Sequence, residues 1–119
     1  MDKGSIAETV SVKPKSSRVA FRMQLFEGCE AEYKRRHDGL WPELEQQLKS
    51  AGIRDYSIFL EERTGMLFGV MCVADLKCLD DLKLHPVMKK WWAYMKDIMG
   101  TNEDDSPVSF SLQEVFYLP

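Results

Sequence analysis

The stretch that decides the fold is DYSIFLEERTGMLFGVMCV, residues 55–73. It contains two short runs rich in branched and aromatic residues, DYSIFL (55–60) and MLFGVMCV (66–73). Between them ERTG (62–65) ends on glycine, a turn signal, so the spacing predicts two adjacent strands. Working outward, RVAFRMQLF (18–26) alternates Val19, Phe21, Met23 and Leu25 on one face, as a half-buried strand does. QEVFYL (113–118) is expected to form a fourth strand. Residues 29–49 read as an interrupted helix, and further helical pieces are expected at 76–83 and 87–99, the second starting just after Pro86. The order β-α-β-β-α-β predicts a ferredoxin-like α+β fold, a four-stranded antiparallel sheet with its helices on one face.

The other face of that sheet needs a cover. The third strand is apolar on both sides: Met66, Phe68, Val70 and Cys72 on one, Leu67, Met71 and Val73 on the other. The fourth has Val115 and Tyr117 on one side, Phe116 and Leu118 on the other. Helices cover one face only, and soluble monomers seldom expose so large an apolar patch. The expectation is a homodimer with sheets packed face to face.

A chain of 119 residues holds one domain. The polar first segment, MDKGSIAETVSVKPKSS, reads as a flexible tail over 1–17, leaving a single domain over 18–119. That segment lacks the apolar centre of a secretory signal and, with Asp2 and Glu8 and no arginine, fits a transit peptide poorly. A formal net charge of −3 argues against a nucleic-acid partner. The basic run Lys34-Arg35-Arg36 reads as a solvated helix face. No apolar run approaches the roughly 20 residues needed to span a bilayer. Cys29, Cys72 and Cys78 have neither disulfide nor zinc spacing, so they read as reduced, buried thiols of a cytoplasmic protein.

The chemistry is most legible in EYKRRHDGLWPEL (32–44). At about 100° per residue, Tyr33, His37, Leu40, Trp41, Leu44 and Leu48 fall in one arc about 100° wide, so His37 lies on the sheet-facing stripe. Spacing alone favours a core histidine with both ring nitrogens hydrogen-bonded. Against that, Gly39 and Pro42 break the helix within about a turn, costing roughly 1 and 3 kcal/mol in a regular interior. Local inconsistency of this kind is expected at functional sites. Trp91 falls at the centre of the next helix's apolar stripe and Trp92 near its edge. They read as core, or as the aromatic wall of a ligand pocket. His85 reads as a surface boundary residue beside Pro86. NEDD (102–105) lacks the Gly and distal Glu of a calcium loop and reads as solvated.

Four stretches in order, YKRRHDGLWPEL, AGIRDYSIFL, WWAYMKDIM and SPVSFSLQEVFYLP, resemble the L-rhamnose mutarotases, and the similarity spans about Val19 to Pro119. The resemblance implies a dimeric α+β barrel, no cofactor, no metal, and interconversion of the α and β anomers of L-rhamnose. It implies His37 as the proton donor. Tyr33, Tyr56, Trp91 and Trp92 would then bind the sugar. Tyr56 rests on the resemblance alone. Within the fold, the rivals are a cofactor-free oxygenase or a haem-degrading enzyme with a lone histidine. A non-catalytic sugar-binding module is the rival outside enzymes.

Overall fold

The computed structural model describes residues 17–119; the tail expected over 1–17 lies, but for Ser17, outside them. The elements are β1 (Ser17–Gln24), α1 (Glu30–Asp38), α2 (Pro42–Ser50), β2 (Ile53–Glu61), β3 (Met66–Val73), α3 (Lys77–Lys83), α4 (Pro86–Met95) and β4 (Phe110–Leu112). All strand pairs are antiparallel, in the order β2-β3-β1-β4. This is the ferredoxin-like arrangement expected from the sequence.

Alternation along β3 explains the layering. Leu67, Gly69, Met71 and Val73 are buried, whereas Met66, Phe68, Val70 and Cys72 are half-buried. Between sheet and helices, Leu67 packs in one cluster with Met23, Leu25, Leu44, Val87 and Met95, and Met71 and Val73 in a second with Ile53 and Leu82. Gly69 has a specific use there. Phe21 on β1 pairs with it, and a Cβ at residue 69 would collide with the Phe21 ring. The missing side chain lets that ring lie flat on the sheet, where it meets Tyr56 edge-on at 6.3 Å between centroids.

The helix break falls where expected and is orderly. Gly39 closes α1, its N–H reaching the Arg35 carbonyl while the Leu40 N–H reaches that of His37. Pro42 opens α2 at the first turn, where a missing N–H costs nothing. His85 caps α4: its Nδ1 accepts from the Val87 N–H at 3.1 Å.

The fourth strand differs from expectation. It occupies 110–112, paired with β1, rather than 113–118. Strand pairing needs a partner edge, and the register to β1 uses only Phe110, Ser111 and Leu112. Beyond it Val115, Phe116 and Leu118 are exposed, Val115 at 87%, and Tyr117 is covered in part by the Arg18 guanidinium, 4.2 Å over its ring. The three cysteines are unbridged as expected, but half-buried rather than buried.

Candidate active site

His37 sits in the last turn of α1, and its Nδ1 lies 3.0 Å from the carbonyl oxygen of Tyr33. A carbonyl only accepts, so Nδ1 carries the proton and donates it. The imidazole is thereby held in one tautomer, and Nε2 keeps its lone pair. The ring packs on Tyr33 at 4.3 Å between centroids and meets Trp91 edge-on at 5.3 Å. Burial lowers the His37 pKa below the ordinary imidazole value; the Tyr33 carbonyl and Asp38 pull the other way and are outweighed.

Lys34, Arg35 and Arg36 are not what lowers it. Lys34 pairs with Asp38, and Arg35 with Glu32. Arg36 corrects the expectation of a wholly solvated basic face, since its side chain is only 9% exposed. It bonds Glu32 at 2.6 Å and Asp97 at 2.9 Å, donates to the Tyr94 carbonyl at 2.7 Å, and lies 4.4 Å over the Tyr94 ring. The hydrogen bonds from Arg35 and then Arg36 pull the Glu32 carboxyl down to about 2. The run therefore ties α1 to the end of α4. The spacing of Glu32 and Arg36 at i, i+4 was the legible hint.

The tryptophans divide as their helix positions implied. Trp91 is 7% exposed and anchors an aromatic cluster with Trp41 (5.1 Å) and Tyr94 (5.6 Å). Trp92 is half-buried at the groove.

Tyr56 reaches the same place by a device that the strand pattern did not reveal. The β2–β3 register shifts between Arg54 and Ser57, and Asp55 adopts φ 51°. This bulge puts an extra residue into β2 and re-aims the side chain of Tyr56 next to it. Tyr56 is 39% exposed within the groove, yet its surroundings push its pKa up to about 12. Burial, reinforced by Tyr56, raises Tyr33 as well. Both phenols are protonated at neutral pH and available as hydrogen-bond donors.

Tyr33, His37, Tyr56, Trp91 and Trp92 line one cavity of about 80 Å³, opening within a groove of about 2040 Å³ between the helices and the sheet. All five residues singled out from the sequence are thus brought together. Met23, Ile58 and Met88 supply apolar wall, and the loop after α4 adds Thr101 and Asp105, which sequence reasoning had not selected. Among the described residues no group of three or more His, Cys, Asp or Glu side chains could hold a metal ion. No described helix is long and apolar enough to cross a membrane.

Fold and cavity together define a ferredoxin-like α+β protein with a histidine-centred aromatic site between sheet and helices. The chain belongs to the L-rhamnose mutarotase family, whose model matches residues 18–118. A curated L-rhamnose mutarotase from Brucella anthropi is 55% identical over 102 residues, 86% of this chain and 96% of its own length. The crystal structure of an L-rhamnose mutarotase from Formosa agariphila is 48% identical with a TM-score of 0.81, covering 87% of this chain and 99% of that one. A putative antibiotic biosynthesis monooxygenase from Bacteroides thetaiotaomicron, 14% identical with a TM-score of 0.58 over 85% of this chain and 90% of its own, shares the fold alone.

Proposed function

We propose that this isomerase interconverts the α and β anomers of L-rhamnose with His37 as its proton carrier. The observation that carries the assignment is the Nδ1 contact to the Tyr33 carbonyl, which leaves Nε2 without a hydrogen-bond partner among the described residues on a ring that lines the cavity. Nε2 takes the proton of the anomeric hydroxyl as the bond from C1 to the ring oxygen breaks. The ring oxygen is protonated and the open-chain aldehyde forms. Both oxygens are bonded to C1, so one imidazole nitrogen reaches each in turn, first as base and then as acid. Rotation about C1–C2 presents the other aldehyde face, and the reverse transfers close the ring as the opposite anomer. Unperturbed imidazole titrates near 6.5, close enough to working pH to serve both directions.

The remaining residues are assigned to binding. Tyr33 and Tyr56 donate phenolic hydrogen bonds to sugar oxygens, and the indoles of Trp91 and Trp92 pack on the C–H faces. NMR saturation transfer between the two anomeric protons of L-rhamnose tests the reading. Exchange should rise in proportion to added protein. A folded protein that binds L-rhamnose and leaves its exchange rate unchanged would instead be a binding module.

The reading includes a homodimer formed through the open sheet face. In the single chain that face presents Phe59 at 61% exposure, Phe68, Val70, Phe110 and Leu112, with the apolar 115–118 segment nearby. Sedimentation should give twice the chain mass, and Phe68→Glu should shift it toward one. A wild-type protein that sediments as a monomer at micromolar concentration would reject the dimer. The single domain over 18–119 and a cytoplasmic location, supported by three unbridged cysteines, belong to the same reading.

A further inference from the structure

We propose that Asp105 is a specificity-determining residue of this site, its carboxylate accepting a hydrogen bond from a hydroxyl of the bound sugar. The inference rests on the sugar-binding reading and adds a residue to it.

The loop carrying Asp105 is pinned at its base by the bridge between Thr101 and Pro107. The side chains of Asn102, Asp104 and Ser106 are spent on the loop. Asn102 Nδ2 donates to the Ser106 hydroxyl and carbonyl, and Asp104 accepts from the Ser106 N–H at 3.0 Å. Asp105 is different. It lines the cavity that holds His37, and its side chain is 30% exposed. Among the described residues its one charged partner is Lys96, at 3.4 Å and itself largely in solvent. Its backbone is in the left-handed region at φ 72°, which side-chain-bearing residues seldom adopt but Asp and Asn tolerate.

What the cavity otherwise offers makes the role specific. Indole N–H groups only donate, and the acceptors among the other side chains of the cavity, the phenolic and Thr101 hydroxyls and His37 Nε2, carry no charge. A sugar presents mostly O–H groups that must donate to something. Among the described residues Asp105 is the one carboxylate in the cavity wall, and a hydroxyl bonded to a carboxylate makes a charge-assisted contact. Left unmatched, a buried hydroxyl discriminates strongly against the wrong ligand.

Asp105→Gly removes the carboxylate and suits the left-handed backbone, so it keeps the loop; Asp105→Asn keeps an acceptor oxygen and loses the charge. Saturation transfer gives kcat and KM for L-rhamnose, and quenching of tryptophan fluorescence gives Kd. Asp105→Gly should raise KM and Kd on the order of 10- to 100-fold with kcat within a few-fold of wild type. Asp105→Asn should fall between the two. Among monodeoxy analogues of L-rhamnose, the one lacking the read hydroxyl should bind both proteins alike. Unchanged Kd in Asp105→Gly overturns the proposal. So does a 100-fold fall in kcat at unchanged KM, which would make Asp105 a proton carrier instead. Wild-type protein that binds without accelerating exchange would sink the mutarotase activity alone, with Asp105 still judged on Kd. Absence of sugar binding by wild type would overturn both.

Discussion

His37→Ala is expected to lower catalysed anomer exchange by roughly 10²- to 10⁴-fold, the usual contribution of one positioned acid–base group. The fold should survive. Among the described residues the ring's one hydrogen bond is to a carbonyl within its own helix, and alanine is the best helix former. Thermal unfolding of wild type and variant should therefore nearly coincide while saturation transfer separates them. Full activity in a stable variant would remove His37 from the mechanism. The pH dependence supplies an independent check. Burial lowers the His37 pKa, so neutral imidazole, the form that accepts the first proton, persists below the ordinary value of about 6.5. The acid limb of kcat/KM should fall below that value and vanish in His37→Ala. The stability effect has the same sign. As pH drops below about 6.5 the unfolded chain takes up this proton before the folded one, so the contribution of His37 is lost on acidification through its folded value. An acid limb above the ordinary imidazole value would contradict burial as the dominant influence.

Trp91→Ala should act on folding instead. Trp91 is 7% exposed and touches His37, Trp41 and Tyr94 at centroid distances of 5.1–5.6 Å. Truncating a buried aromatic to alanine costs about 3–5 kcal/mol, a large share of the roughly 5–15 kcal/mol that holds a domain together. Urea unfolding should show the midpoint moving sharply down with little change of slope. A loss under about 1 kcal/mol would mean that the cluster is not the structural anchor its geometry implies. Trp92, half-buried at the cavity, is the contrasting case: its truncation should raise KM more than it lowers stability.

How much of this was legible in the chain depends on the range over which each feature is specified. The alternation in 18–26 and 66–73, the turn at 62–65 and the break at Gly39–Pro42 are local, and each appears in the structure within a few residues of where the sequence puts it. So does the pairing of Tyr33 with His37, because residues four apart on a helix are neighbours whatever surrounds them. Arg36 shows where this stops. Its identity suggests solvent, but whether its guanidinium is covered depends on Asp97 and Tyr94, some 60 positions away.

By itself, then, the sequence determined the order of elements, the faces of the strands and helices, and the stripe that carries His37. The tertiary structure decided the bulge that turns Tyr56 into the cavity, the placement of Asp105 beside it, and the position of the last strand at 110–112 instead of 113–118. The reason is physical. Helical and strand periodicity come from backbone geometry repeated residue by residue, whereas register, bulges and loop placement come from contacts between segments distant in the chain.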